Sequence, residues 1–264
     1  MKNSFGGISL KQRKCALVTG ASSGIGYEIA KQLDKKGFDL IITARREDRL
    51  YELKSQLKGN VTVIPCDLSD EKQCMELYER THGMNISVLV NNAGFGAVGC
   101  FNEIPLNKEI NMIKTNCIAL HTLTKMFLKD FIEKDKGYIL NVASSAGLMP
   151  GGPLMSTYYA TKAYVTSLTS GISEELKSMN SRVSVSVLCP GPVSTEFNKV
   201  ANVKFNLKSI SAEKCAEIAI KGMFERKLII IPSFDMKASS FAGKVLPRRL
   251  MLSITKHIQA KKIK

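Results

Sequence analysis

Tyr158 and Lys162 stand four residues apart in Tyr158-Tyr159-Ala160-Thr161-Lys162. On an α-helix that spacing puts both side chains on one face, one turn apart. A free tyrosine has a pKa of about 10 and holds its proton near neutrality. A nearby ammonium favours the phenolate and lowers that value. Such a pair can protonate a developing alkoxide, or take the proton of an alcohol in the reverse direction. Tyr159 faces another side of the same helix and has no lysine four residues on, so it reads as a decoy.

A second chemistry lies in Thr19-Gly20-Ala21-Ser22-Ser23-Gly24-Ile25-Gly26, at the junction of an apolar run and a helical pattern. Glycines permit a tight turn and close approach of backbone to a pyrophosphate, and the following helix aims its free N–H groups and positive end at it. Gly20, Ser22, Ser23, Gly24, Ile25 and Gly26 are therefore candidate cofactor contacts. Their spacing departs from the G-x-G-x-x-G dinucleotide fingerprint.

A third signal is Ile42-Thr43-Ala44-Arg45-Arg46, at the end of the second apolar run. In a dinucleotide fold an acid here binds the ribose 2′-hydroxyl of NAD, whereas an arginine receives the 2′-phosphate of NADP. No acid precedes Arg45, and a guanidinium pairs bidentately with phosphate. The expected cofactor is NADP(H), with Arg45 as the main contact and Arg46 assisting. The competing reading is that both arginines begin an exposed helix with Glu47 and Asp48.

The elements that must position these groups follow a regular rhythm. Strands are predicted at Cys15–Thr19, Phe38–Thr43, Val61–Cys66, Val88–Asn91, Gly137–Val142, Val183–Cys189 and Leu228–Ile231. Helical patterns lie between them. In Gly24–Lys36, for example, Ile25, Ile29, Ala30 and Leu33 share one face and Gly37 marks the end. Strand–helix alternation with nearly continuous apolar strands predicts an α/β fold: a Rossmann-type, doubly wound parallel sheet of about seven strands, with helices on both faces. Ligands in such sheets sit beyond the carboxyl ends of the strands. Residues 1–264 read as a single catalytic domain, with 232–264 a basic carboxyl-terminal extension.

With its order of glycines, T-G-x-x-x-G-x-G at a first strand–helix junction resembles the short-chain dehydrogenase/reductase family. Further motifs from about Cys15 to Ile231 are similar to that family's. Asn91-Asn92-Ala93-Gly94 matches N-N-A-G, implying that Asn91, Ala93 and Gly94 support the sheet centre and line the cofactor site. Tyr158 and Lys162 match Y-x-x-x-K, and Ser145, thirteen residues before Tyr158, falls at the family's serine position; Ser144 is the less favoured candidate. That serine would hold the substrate oxygen. The resemblance makes Asn116 the fourth member of a tetrad, holding a water that links Lys162 to solvent. It gives Asp67, beside Leu68, the adenine amino group; the rival role for Asp67 is an N-cap for a helix starting near Asp70. Pro190, Gly191 and Val193 would hold the nicotinamide carboxamide, with Thr195 near the phosphates.

The resemblance implies an NADPH-dependent oxidoreductase that moves a hydride between cofactor and a carbonyl or alcohol carbon. The flanking loops, Phe95-Gly96-Ala97-Val98, Leu148 to Met155 and Phe197 onward, are apolar. Methionines suit adaptable hydrophobic pockets. The expected substrate is therefore a small hydrophobic ketone or secondary alcohol, with a 3-oxoacyl thioester and a steroid both open. Family members often pair through the helices bearing the asparagine and tyrosine, which implies a homodimer or homotetramer. A cofactor-binding sensor or scaffold without turnover, and a membrane-surface-associated lipid-ketone reductase, are the alternative classes.

Bulk properties narrow the setting. In 264 residues there is no apolar run of membrane-spanning length and no secretory signal pattern, and a cytoplasmic enzyme is expected. Seven irregularly spaced cysteines read as free buried thiols, and with three scattered histidines they offer no metal site. The net charge of +15 invites a polyanionic partner, yet no base-reading module is present, so nucleic acid is not expected. From Lys237 to Lys264 the chain has no acid. Pro247 suits a helix start. Leu250, Met251, Ile254 and Ile258 then fall on one face, with Arg248, Arg249, Lys256, Lys261 and Lys262 largely elsewhere. Such a basic amphipathic helix can lie on an anionic membrane or dock an acidic carrier protein, or it can pack on its own domain.

Overall fold

Seven strands pair in parallel in the order β3-β2-β1-β4-β5-β6-β9 in the computed structural model, which describes residues 13–196 and 209–260. The strands are β1 (Cys15–Thr19), β2 (Asp39–Thr43), β3 (Val61–Val63), β4 (Ile86–Asn91), β5 (Gly137–Val142), β6 (Val183–Leu188) and β9 (Ile229–Ile230). Helices α1 (Gly24–Lys35), α2 (Glu47–Gln56), α3 (Glu71–Arg80), α4 (Leu106–Ile113), α5 (Leu120–Glu133), α6 (Ser156–Ser178) and α7 (Ala212–Phe224) connect and cover them. A π-helical turn (Lys114–Ala119) joins α4 to α5, and a 3-10 turn (Ser145–Leu148) follows β5. Two short strands, β7 (Val193–Ser194) and β8 (Ile210–Ser211), pair separately.

Side-chain alternation along the strands builds a core on each face. Ala16, Val18, Leu40, Ile42, Val90 and Leu140 pack under α1 and α7. Leu17, Ile41, Leu89, Ile139 and Val185 pack with Phe127 and Phe131 on the other side. Both faces of each central strand are therefore dry, which is why the sequence shows continuous apolar runs rather than alternation. α1 stops where Gly37 adopts φ +79°, a conformation that favours glycine. The predicted third strand extends to Cys66, but the regular ladder ends at Val63. Pro65 has no N–H, so only Ile64 and Cys66, on either side of it, still donate to β2 and its following residue.

The strand order reverses at β1 and β4, and their carboxyl ends form the crevice expected of a doubly wound sheet. Thr19 Oγ1 closes its floor by accepting from the backbone N–H groups of Asn92 (3.0 Å) and Ala93 (3.1 Å).

Helices α8 (Phe234–Val245) and α9 (Arg248–Ala260) fold back over one end of this crevice. Arg248 donates to the Pro150 carbonyl (3.2 Å), Leu252 lies against Gly151, and Met149 lies against Gly243. The inward line of α9 is Met251, Thr255 and Gln259, spaced by four residues. This corrects the expected apolar face: Leu250, Ile254 and Ile258 point to solvent, and only Met251 of that set is buried. The side turned inward is the one facing the 148–155 loop and the crevice. Lys261 and Lys262 lie outside the described residues.

Candidate active site

A cavity of about 460 Å³ runs from the β1–α1 turn, past the end of β2, to the start of α6. At its first end Gly20 and Gly24 adopt φ +65° and +60°. Gly20, Ser22, Ser23, Gly24 and Ile25 line the cavity, and Thr195 closes against Gly24, where an added Cβ would lie 3.0 Å from the threonine Cγ2. Gly26 does something different. It is buried, and a Cβ there would come within 2.3 Å of Asn92 Nδ2. Its lack of a side chain admits the Asn92 amide, which donates to the carbonyls of Thr19 (3.0 Å) and Gly20 (3.1 Å) and fixes the turn.

Asn92, rather than Asn91, reaches the cavity wall with Ala93 and Gly94. The Asn91 amide is buried between strands and donates to Thr124 Oγ1 and Asn141 Oδ1, each at 2.9 Å. Adjacent residues of a strand point to opposite faces, so only one of the two asparagines can face the crevice.

Arg45 and Arg46 stand exposed at the cavity mouth. Arg46 pairs with Glu196 at 2.9 Å and donates to Ser22 Oγ at 3.2 Å. That guanidinium holds the Glu196 carboxyl below its usual range. Asp67 and Leu68 line the same end. Asp67 Oδ1 accepts from the N–H and hydroxyl of Ser69 (3.0 and 2.9 Å), while Asp70 caps α3 by accepting from the Lys72 N–H. The capping role therefore belongs to Asp70.

The inner end holds the titratable pair. Tyr158 and Lys162 are both buried, with the Lys162 Nζ 5.9 Å from the Tyr158 ring centre and donating to the Val142 carbonyl (2.9 Å). Burial penalises whichever form is charged, so it moves the two in opposite directions. The Tyr158 hydroxyl is pushed up to about 12, and Lys162 is brought down to about 8. A hydrogen bond to Ser144 pulls Tyr158 the other way.

That bond bears on the choice between the two adjacent serines. The thirteen-residue spacing points to Ser145, yet the structure brings the Ser144 side chain to Tyr158. Ser144 is the extended residue preceding the 3-10 turn, and its hydroxyl also accepts from the Ala146 N–H (3.2 Å). Ser145, already inside that turn, is held through its backbone N–H on the Pro190 carbonyl (2.8 Å).

Asn116 is fully buried in the π-helical turn, an irregularity common at functional sites. Its Oδ1 accepts from the Phe95 N–H (3.0 Å), and its Nδ2 donates to the Phe95 carbonyl (2.9 Å) and Thr161 Oγ1 (3.1 Å). It thereby locks the loop after β4 to the helix carrying Tyr158. Pro190, Gly191 and Val193 line the wall opposite.

Residues 14–205 match the model of the short chain dehydrogenase family. The chain belongs to this family. It is 35% identical over 241 residues to an NADP-dependent 3-hydroxy acid dehydrogenase of Schizosaccharomyces pombe, covering 83% of this chain and 90% of that one. It is 30% identical over 265 residues to a very-long-chain 3-oxoacyl-CoA reductase of Anas platyrhynchos, covering 94% and 82%. Among solved structures, a short-chain dehydrogenase from Sphingobium yanoikuyae in complex with NADPH superposes with a TM-score of 0.79 at 28% identity, covering 91% of this chain and 95% of that one.

Glu196, Tyr159 and Gln259 are among the cavity residues of this short chain dehydrogenase that the sequence does not place in the site. Glu196 emerges only as the partner of Arg46. Tyr159, read as a decoy, lines the cavity beside Tyr158, with the two rings 6.4 Å apart. Gln259, from α9, donates through Nε2 to the Tyr159 hydroxyl and completes the same wall. Met155 and Phe95 make that wall apolar, as the loop composition predicts; Phe197 and the residues after it fall outside the described region.

Proposed function

We propose that this short chain dehydrogenase reduces the 3-oxo group of a hydrophobic 3-oxoacyl compound to the 3-hydroxy compound, using NADPH. The observation that carries the reading is a buried Tyr158 in one cavity with Ser144, Lys162, a glycine turn and two arginines. The relatives named above, a 3-hydroxy acid dehydrogenase and a 3-oxoacyl-CoA reductase, support this substrate class over a steroid.

The cavity suits the dinucleotide. Gly20 and Gly24 hold backbone conformations that keep the turn free of side chains, and the N-terminus of α1, not capped by the Ser23 side chain, would offer its first N–H groups to a pyrophosphate. Arg45 and Arg46 supply cations at the end of β2, where an acid would oppose a 2′-phosphate. Asp67 and Leu68 would receive the adenine, and Pro190, Gly191, Val193 and Thr195 the nicotinamide side. Bound NADPH supplies the hydride that forms the new C–H bond.

The chain's own residues handle the oxygen. Ser144 donates a hydrogen bond to the substrate carbonyl oxygen and holds it at Tyr158. As negative charge grows on that oxygen, Tyr158 gives it the phenolic proton, forming the alcohol O–H. Lys162 then returns a proton to the phenolate. Its value of about 8 makes it an able donor near neutrality. Asn116 positions Tyr158 through Thr161 and keeps the Phe95 loop shut against bulk water.

NADPH oxidation with medium- and long-chain 3-oxoacyl thioesters, set against steroid ketones and NADH, tests the reading. Fastest turnover on the thioesters with NADPH, lost in Tyr158→Phe, is expected. A steroid as best substrate would overturn the substrate class.

Two surfaces bear on the setting. Leu106, Ile110, Ile113 and Ile118, with Tyr164 hydrogen-bonded to His121 (2.7 Å), are exposed on the α4–α6 side, and we infer that a second copy covers them. No helix among the described residues is long and apolar enough to cross a membrane. Phe234, Phe241, Val245, Leu250 and Ile254 nonetheless project from α8 and α9, in a stretch without acids after Asp235. Apolar side chains on a basic helical pair fit an anionic lipid surface, which would also deliver a hydrophobic substrate. Sedimentation with phosphatidylserine vesicles, lost in Phe241→Ser, tests this; equal binding by the variant excludes it.

A further inference from the structure

Gln259 is a polar residue in an apolar wall. It is 3% exposed, it comes from the far end of the chain, and its side chain reaches the cavity beside Tyr158. One amide atom is paired with the Tyr159 hydroxyl. The other, Oε1, has no partner. Among the described residues four buried side-chain polar atoms share that condition, the others being on Thr43, Asn91 and Ser186; of the four residues, only Gln259 lines the cavity. A buried polar atom without a partner is costly and is normally satisfied by protein, water or ligand.

The amide and the phenol are adaptable. A tyrosine hydroxyl can donate or accept, and the oxygen and nitrogen of a glutamine amide exchange places by rotation. With the Tyr159 hydroxyl donating to Oε1, the amide N–H₂ takes the buried, unpartnered position as a donor. In either arrangement one hydrogen-bonding group remains unmet among the described residues, on a side chain that lines the same cavity as Tyr158.

We propose that Gln259, held by Tyr159, determines substrate specificity by donating a hydrogen bond to a second carbonyl oxygen of the substrate, the thioester carbonyl two carbons from the reacting ketone. This deepens the reading of the site as a 3-oxoacyl reductase and rests on it. Ser144 and Tyr158 take the 3-oxo oxygen, Gln259 takes the thioester oxygen, and Met155 and Phe95 pack on the chain. A site built around such a polar contact discriminates against an analogue that lacks the partner, because its own buried group is then left unpaired. The carboxyl-terminal helix is accordingly part of the substrate site rather than an appendage, anchored by Arg248 on Pro150 and by Leu252 on Gly151.

The test compares two substrates of equal chain length with the full-length protein: a 3-oxoacyl N-acetylcysteamine thioester, and the plain ketone in which methylene groups replace the thioester. The measured quantity is the ratio of their kcat/KM values with NADPH. The unaltered protein is expected to prefer the thioester, and Gln259→Leu to lower the ratio at least tenfold. Tyr159→Phe, which keeps the ring and frees the amide, should lower it in the same direction and serves if Gln259→Leu does not fold. A ratio unchanged by either folded variant, or no preference in the unaltered protein, overturns the proposal while leaving carbonyl reduction in place. Turnover of neither substrate, with NADPH bound as judged by its fluorescence, overturns the reductase reading and this proposal with it.

Discussion

The Lys162 ammonium lies 5.9 Å from the centre of the Tyr158 ring, and both groups are cut off from solvent. Burial keeps Tyr158 protonated up to about 12 and lets Lys162 lose its proton from about 8. In the proposed mechanism the pair stores a proton on the residue that would donate it and places the replacement on a lysine that releases one easily.

A pH dependence follows with a definite sign. Tyr158 remains an acid throughout the neutral range, so reduction does not wait on its titration. In the proposed mechanism Lys162 reloads it, and the charged form of Lys162 is depleted as pH rises through about 8. Reductive kcat is expected to fall above that point. Alcohol oxidation, which needs a base, should rise over the same range. Initial rates in both directions from pH 6 to 10 check this, and a reductive rate that is flat across pH 8 would remove Lys162 from the proton path.

Lys162→Met is expected to lower kcat by about 10²–10⁴-fold, the usual span of a lost acid–base contribution. It should also leave thermal stability at pH 7 equal or higher, because it removes a charge buried without a carboxylate partner among the described residues. Thermal unfolding measures this. A clear loss of stability would mean that the hydrogen bond to the Val142 carbonyl outweighs the burial of the charge.

The two adjacent serines are separable. Ser144→Ala removes the hydroxyl bonded to Tyr158 and should cost about 10²–10³-fold in kcat, the scale of an oxyanion donor. Ser145→Ala should cost far less. Steady-state kinetics on both variants decides between them, and the reverse order would restore Ser145 as the substrate contact.

Arg46 is tied to Glu196 at the cavity mouth, so that carboxylate competes with a 2′-phosphate for it. Glu196→Gln is expected to tighten NADPH binding several-fold with little change for NADH. Arg45→Ala should weaken NADPH by about 10–100-fold, the worth of a charge-assisted contact. Fluorescence titrations with both cofactors read these effects.

Asn91→Ala should act on the fold rather than on the cofactor. It strips partners from buried Thr124 and Asn141, which costs about 1–3 kcal/mol. Denaturant unfolding should register that loss while NADPH affinity stays near its original value.

Much of this was legible in one dimension because it depends on neighbours in the chain. Tyr158 and Lys162 share a face because they are one helical turn apart, a local property of the α6 segment. Gly20 and Gly24 read as a turn because their backbone angles admit little else without strain. The continuous apolar runs of β1, β4 and β5 called for a sheet covered on both sides, and the sheet is covered on both sides. Tertiary structure decided the rest. Whether Ser144 or Ser145 meets Tyr158 depends on how the 149–155 loop takes up length between two fixed elements, and no periodicity records that. Asn91 and Asn92 are equivalent by type, and only the end of β4 between them leaves one buried among the strands and the other at the crevice. Gln259 meets Tyr159 across 100 residues, and Glu196 meets Arg46 across the mouth of the cavity. Local sequence determines backbone conformation over a turn or two; which distant side chains share a cavity is set only when the whole chain closes around its core.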